Sequence, residues 1–135
     1  MADIRKVTDS FSVAPQIAIG DIAEAARLGF RLVINNRPDG EDPSQPTSAQ
    51  MAEAAKAAGL DYVHAPVVGR PSPEATEAVA AAVANADGPV LAFCRSGTRS
   101  INTWAIGQAA SGARGKAELV KLGQAAGYDL NAVLG

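Results

Sequence analysis

Cysteine is almost missing from this chain: Cys94 stands alone among 135 residues. A lone cysteine excludes an intramolecular disulfide framework and a zinc–thiolate cluster, and it leaves no second thiol in the chain to resolve an oxidised or persulfidated one. Histidine is equally scarce, so His64 is the single candidate for an imidazole base. Aromatic residues make up only 4%. The apolar content of 47% leans on alanine, which suits close-packed helices on a sheet better than an all-β sandwich. With a net charge of -2 there is no basic stripe to neutralise phosphates, so nucleic acid is not the expected partner. No run approaches the ~18 apolar residues that span a membrane, and Met1-Ala2-Asp3-Ile4-Arg5-Lys6 is no secretory segment. These absences point to the cytoplasm, with no membrane association. Glycine-rich nucleotide fingerprints and metal-ligand spacings are lacking too, so neither a cofactor nor a metal is expected. Asp39, Glu41 and Asp42 crowd one turn-rich segment and do not form the separated pair that glycoside chemistry needs.

What is there alternates. Asp21 is positioned to cap a helix running to Leu28, with Glu24 in its first turn and Gly29 as its stop. Phe30–Asn35 is a short strand, and Asn36–Pro43 is loop. Thr47-Ser48-Ala49-Gln50 is a capping-box pattern opening a helix that ends at Gly59. Asp61–Val68 reads as a strand with its proline near the end. Ser72 caps a helix with Pro73 at its first position, running to about Asn85. Pro89–Phe93 is a further strand, followed by helices from Arg99 to about Ala110 and from Lys116 to Ala126, and a short turn at Asp129–Leu134. Repeated strand–helix units imply a single α/β domain over 1–135, its mostly parallel central sheet flanked by helices. Ligands bind such sheets beyond the carboxyl ends of the strands, so the loops after Asn35, Val68 and Phe93 should share one edge.

On that edge lies the most informative run, Val90-Leu91-Ala92-Phe93-Cys94-Arg95-Ser96-Gly97-Thr98-Arg99-Ser100. A strand ends on the cysteine, and a small-residue loop carries two arginines into a helix. Successive backbone N–H groups and a helix N-terminus then converge above the sulfur, a cup that binds anions and favours the thiolate. Arg99 adds a planar guanidinium able to grip an oxyanion with two parallel hydrogen bonds. Free cysteine is commonly a small buried hydrophobe, but a core cysteine does not need arginines at the next and fifth positions. Cys94 and Arg99 are therefore the expected catalytic pair, with substrate contacts from Arg95, Ser96, Gly97, Thr98 and Ser100. Thr98 and Ser100 are suited both to donating to the thiolate and to capping the helix. His64, inside an apolar strand, reads as structural, and Trp104 as core. For Arg37, Asp39 and Glu41 two readings stand level: they shape the mouth of the site, or they form a solvated loop.

Ile34-Asn35-Asn36-Arg37-Pro38-Asp39-Gly40-Glu41, Tyr62-Val63-His64-Ala65-Pro66-Val67 and the Cys94–Ser100 run together resemble the phosphatase-like domain of beta-lactamase-hydrolase-like proteins. This bacterial family carries the label of a sulfur transferase, and the resemblance covers about Phe11 to Leu130. It implies a fold similar to dual-specificity protein phosphatases and, from domains joined to it in some members, an association with a persulfide dioxygenase or a sulfide–quinone reductase. The chain departs from a phosphatase in three places. Four residues rather than five separate Cys94 from Arg99, a spacing similar to the active loop of rhodaneses. Phe93 stands where phosphatases have histidine. Val68, Gly69 and Arg70 stand where a dual-specificity phosphatase carries its general-acid aspartate, and Glu74 is the first carboxylate beyond them.

The expectation that follows is a rhodanese-type sulfurtransferase moving sulfane sulfur through a persulfide on Cys94, with thiosulfate or a persulfide as donor and a thiol as acceptor. The departing sulfite or thiolate needs no strong acid. The alternatives are a cysteine-dependent phosphatase hydrolysing aryl phosphates through a phosphocysteine, and a non-catalytic module that senses an anion or persulfide.

Overall fold

The computed structural model describes residues 2–135. Five strands form one sheet in the order β1-β2-β5-β3-β4. They are β1 (Arg5–Thr8), β2 (Phe11–Ala14), β3 (Leu32–Asn35), β4 (Asp61–His64) and β5 (Val90–Phe93). The first pair is an antiparallel hairpin, and β2, β5, β3 and β4 all run parallel. This is the α/β architecture expected, but the hairpin had no clear signature. Helices α1 (Ile19–Arg27) and α2 (Ser48–Ala58) precede β3 and β4, α3 (Pro73–Asn85) precedes β5, and α4 (Thr98–Ser111), α5 (Lys116–Ala126) and α6 (Asn131–Leu134) complete the chain. Among the described residues, no helix is long and apolar enough to cross a membrane.

The central position of β5 follows from its sequence. Val-Leu-Ala-Phe is apolar at every residue and is buried at every residue, as a parallel strand covered on both faces must be. Alternate side chains feed two cores. Val90 and Ala92 join Phe11, Leu32, Ile34, Ile101, Trp104 and Leu119 on one face of the sheet. Leu91 and Phe93 join Ile17, Ile22, Val33 and Met51 under α1 and α2 on the other. Trp104 is core, its ring stacked on Phe11 at 4.8 Å. The Arg114 guanidinium also lies over the indole ring, 5.6 Å from its centroid.

Helix ends show where local chemistry decides and where it does not. Thr47 and Ser72 are N-caps, each accepting a backbone N–H three residues on, and Gly59 closes α2 in the left-handed region. Asp21, expected as a cap, is instead the third residue of α1. Its carboxylate accepts the Ala18 N–H at 2.8 Å, so the side chain satisfies the helix entry from inside, and the helix begins about one turn earlier than expected. The strand expected to reach Val68 ends at His64. Beyond it the Ala65 and Val67 N–H groups still bond the Asn35 and Asn36 carbonyls, but Pro66 offers no N–H and the ladder stops.

Ala14, Phe93, Asn35 and His64 lie in register across the sheet. The residues that follow them therefore meet at one carboxyl edge, with Cys94 in the middle. Phe11→Ala should cost about 3–5 kcal/mol, since it removes both the stacking partner of Trp104 and a wholly buried ring. The urea-unfolding midpoint checks this, and a loss under 1 kcal/mol would mean the core closes over the gap.

Candidate active site

Cys94 directly follows β5 and is wholly buried. Its sulfur accepts the Gly97 N–H at 3.1 Å. Gly97 has φ +89°, a left-handed conformation that lets the chain double back over the sulfur before α4 begins at Thr98. The expected strand–loop–helix cup is therefore present, with one amide on the sulfur.

The other members of the motif are placed differently. Ser96 donates its hydroxyl to Thr98 Oγ1 at 3.0 Å and accepts the Thr98 N–H, so these two stiffen the exposed rim rather than touch sulfur. Ser100 is buried, and its hydroxyl has no partner among the described residues. Arg95 is exposed, and it lines a pocket with Arg37, Glu41, Asp42 and Arg99. Its backbone carbonyl accepts the Gln16 N–H at 3.2 Å.

Arg99 departs from expectation in its present bonding. The end of its guanidinium is taken: Nη1 and Nη2 donate to the two Glu41 carboxylate oxygens at 2.7 and 2.8 Å, and Nη1 also reaches the Val67 carbonyl at 2.8 Å. What remains for a bound anion is the Nε edge. The second arginine, Arg37, is buried and donates through Nε to the same Glu41 carboxylate at 2.9 Å and through Nη1 to Gln16 Oε1 at 3.0 Å. Bonding to Arg99, joined by that to Arg37, holds the Glu41 carboxyl down at about 2 against a usual 4.5. Of the two readings left open for this loop, Arg37 and Glu41 shape the site.

Asp39 does not. It accepts the Ser48 N–H at 2.7 Å and so ties the loop to the start of α2. His64 is structural as read: Nε2 lies 2.9 Å from the Arg37 carbonyl, an acceptor only, so that nitrogen carries the proton. Three residues escaped the sequence. Gln16 bridges Arg95 and Arg37. Asn36 anchors the loop by donating to the Ala65 carbonyl at 2.8 Å and, through its N–H, to the Phe93 carbonyl. Tyr128 donates to the Ser96 carbonyl at 2.9 Å. Gln16 and Tyr128 lie in no motif; Asn36 lies in the Ile34–Glu41 run, where only a pair of amides at the carboxyl edge sets it apart.

The family described as beta-lactamase hydrolase-like protein, phosphatase-like domain, matches residues 3–111. The chain belongs to this family. A beta-lactamase hydrolase-like protein of Agrobacterium fabrum is 38% identical over 129 residues, which is 93% of this chain but 29% of that protein. The chain thus spans under a third of the curated relatives it matches. A crystal structure from Neisseria meningitidis, named there as a candidate phosphatase, is 35% identical with a TM-score of 0.83, over 96% of this chain and 92% of that one. Tk-PTP in its active form shares the fold at 18% identity, with a TM-score of 0.74 over 97% of this chain and 92% of that one. Family and fold make this a phosphatase-like enzyme domain, and they back the phosphatase alternative better than the sulfurtransferase expectation.

The carboxylate between the arginines predicts a pH signature. A carboxyl whose folded pKa is depressed stabilises the fold above its unfolded value, and that contribution fades as pH falls through the folded value. Glu41→Gln should therefore lower the urea midpoint at neutral pH, with the gap to wild type closing from about 4.5 towards about 2. Equal midpoints at neutral pH would show that the pair contributes nothing to the fold.

Proposed function

We propose that the domain is a cysteine-dependent hydrolase of aryl phosphates, with Cys94 as nucleophile and Arg99 as the anion-binding group. The observation that carries this reading is the Gly97 N–H on the Cys94 sulfur at the turn into α4, within a fold that phosphatases share. The thiolate attacks phosphorus; the S–P bond forms as the P–O bond to the ring breaks, and the phenolate leaves with the electron pair. Water then attacks phosphorus, the S–P bond breaks, the thiolate is restored, and the water's proton passes to solvent. Loop amides and the Arg99 Nε edge meet the phosphoryl oxygens, with Arg95 at the mouth. Ser100, expected as a donor to the thiolate, does not bond the sulfur: its buried hydroxyl has no partner among the described residues.

The leaving group sets the substrate range. Val68, where a general acid would stand, is 78% exposed and has no proton to give. Glu41 lines the pocket but stays a carboxylate at neutral pH. Phenolates leave without help, whereas alkyl phosphates forgo a contribution of about 10²–10⁴-fold.

The same lack of an acid favours a second reading, sulfane transfer. Cys94 would attack the outer sulfur of thiosulfate or a persulfide, forming one S–S bond as another breaks and releasing sulfite or thiolate as an anion. A thiol or cyanide would then take the sulfur. The shortened Cys94–Arg99 loop also fits a single sulfur atom better than a phosphoryl group. A persulfide dioxygenase or sulfide–quinone reductase would be the functional neighbour in that case, and the cytoplasm the compartment.

Parallel assays decide. p-Nitrophenyl phosphate should be hydrolysed, alkyl phosphates at least ~10²-fold more slowly, and Cys94→Ser should abolish both. Thiocyanate formation from thiosulfate and cyanide, with one sulfur added to Cys94 in the intact mass and no phosphate released, would replace the first reading by the second. Arg99→Lys keeps the charge and loses the planar fork, so kcat/KM should fall roughly 10²-fold or more, and the urea midpoint should drop as well because the two-pronged bond to Glu41 is lost. Wild-type turnover in that variant would move the anion grip to Arg95 or Arg37.

A further inference from the structure

The peptide unit joining Ser96 to Gly97 is held at both ends. Its N–H donates to the Cys94 sulfur at 3.1 Å, and its carbonyl accepts from the Tyr128 hydroxyl at 2.9 Å. In a trans peptide these two groups point opposite ways, so the bond at one end dictates what faces the sulfur at the other. Turned over, the unit would present a carbonyl oxygen to the thiolate and repel it. Gly97 cannot prevent this by itself. At φ +89° it has no side chain to oppose rotation of its peptide planes.

Tyr128 is held firmly enough to supply the restraint. Its N–H bonds the Gly123 carbonyl at 2.8 Å, the capping turn of α5. The Arg5 guanidinium lies over its ring at 5.3 Å and reaches the Ala126 carbonyl at 3.4 Å, fastening the ring to β1. A Cβ on Gly97 would collide with the Tyr128 hydroxyl, so the glycine's bareness is what admits this contact. Burial pushes the phenol above its usual 10, and the hydroxyl stays a donor throughout the neutral range.

We propose that Tyr128 is a positioning residue for the nucleophile, locking the Ser96–Gly97 peptide with its N–H towards Cys94. The chain of hydroxyl, carbonyl, N–H and sulfur also polarises each bond in the same sense, strengthening the donor that the thiolate sees. The inference rests on the reading of Cys94 as nucleophile, but it holds for either phosphate or sulfur chemistry.

Tyr128→Phe keeps the ring and its cation and removes only the hydroxyl. Iodoacetamide alkylation of Cys94 is followed from about pH 5 to about pH 9, each profile normalised to its own plateau. The variant's profile should move to higher pH by roughly half to one unit, in line with the loss of one hydrogen bond. Protection of Cys94 by inorganic phosphate should weaken several-fold. A merely structural tyrosine would lower the urea midpoint and leave the profile in place, and superimposable profiles with equal protection would overturn the proposal. That failure is distinct from failure of the nucleophile reading, which would show as aryl-phosphate or thiosulfate turnover surviving in Cys94→Ser. A folded wild-type protein that never alkylates would sink both.

Discussion

Three loops that are distant in sequence converge on one carboxylate. Glu41, in the loop after β3, faces Arg99 at the start of α4 and Arg37 from its own loop, and Arg37 in turn holds Gln16 from the loop after β2. Two cations side by side would repel each other and stay hydrated; the shared anion lets both remain in place with little mobility. The cup above Cys94 takes its rim from this arrangement. Without it, the bond from the Gln16 N–H to the Arg95 carbonyl and that from the Asn36 N–H to the Phe93 carbonyl still tie these loops to β5 and the residues after it, but not to the helix that carries Arg99.

The network also divides labour between the arginines. Arg37 is buried and spent on structure, Arg95 is exposed and uncommitted, and Arg99 stands between them with one edge used and one edge open. A bound oxyanion would therefore meet a guanidinium already aimed and already partly neutralised. In the proposed hydrolase this would moderate affinity for small anions and improve their orientation, a trade that suits turnover better than storage.

Much of the scaffold was legible because its signals are local. The caps Thr47 and Ser72, the proline at the start of α3, and the glycine closing α2 work within a single turn. The apolar stretch of β5 and the glycine-arginine loop behind it marked both the strand and the strand–loop–helix cup around Cys94. The hairpin of β1 and β2 was hidden, since Arg5–Thr8 and Phe11–Ala14 are four residues each and carry too little alternation to stand out. Glu41 was visible as a residue but not as a partner, because its bonds to Arg99 cross 58 positions. Tyr128 was invisible for the same reason, lying 32 positions from the carbonyl it holds. Capping is read along the chain; convergence at a sheet edge is not.

The order of the strands also bears on how the protein reaches this state. β2, β3 and β4 are made before β5, yet β5 lies between β2 and β3 and bonds both. Until it arrives, the two halves of the sheet have no direct contact and each presents an open inner edge, the kind of surface that recruits other chains. Pairing Phe11 with Val90 and Leu32 with Val90 means closing two long loops at once, which slows folding for topological reasons alone. Because Cys94 is the residue directly after that last strand, its sulfur receives the Gly97 N–H only once β5 is in place. The cup is completed by the final insertion.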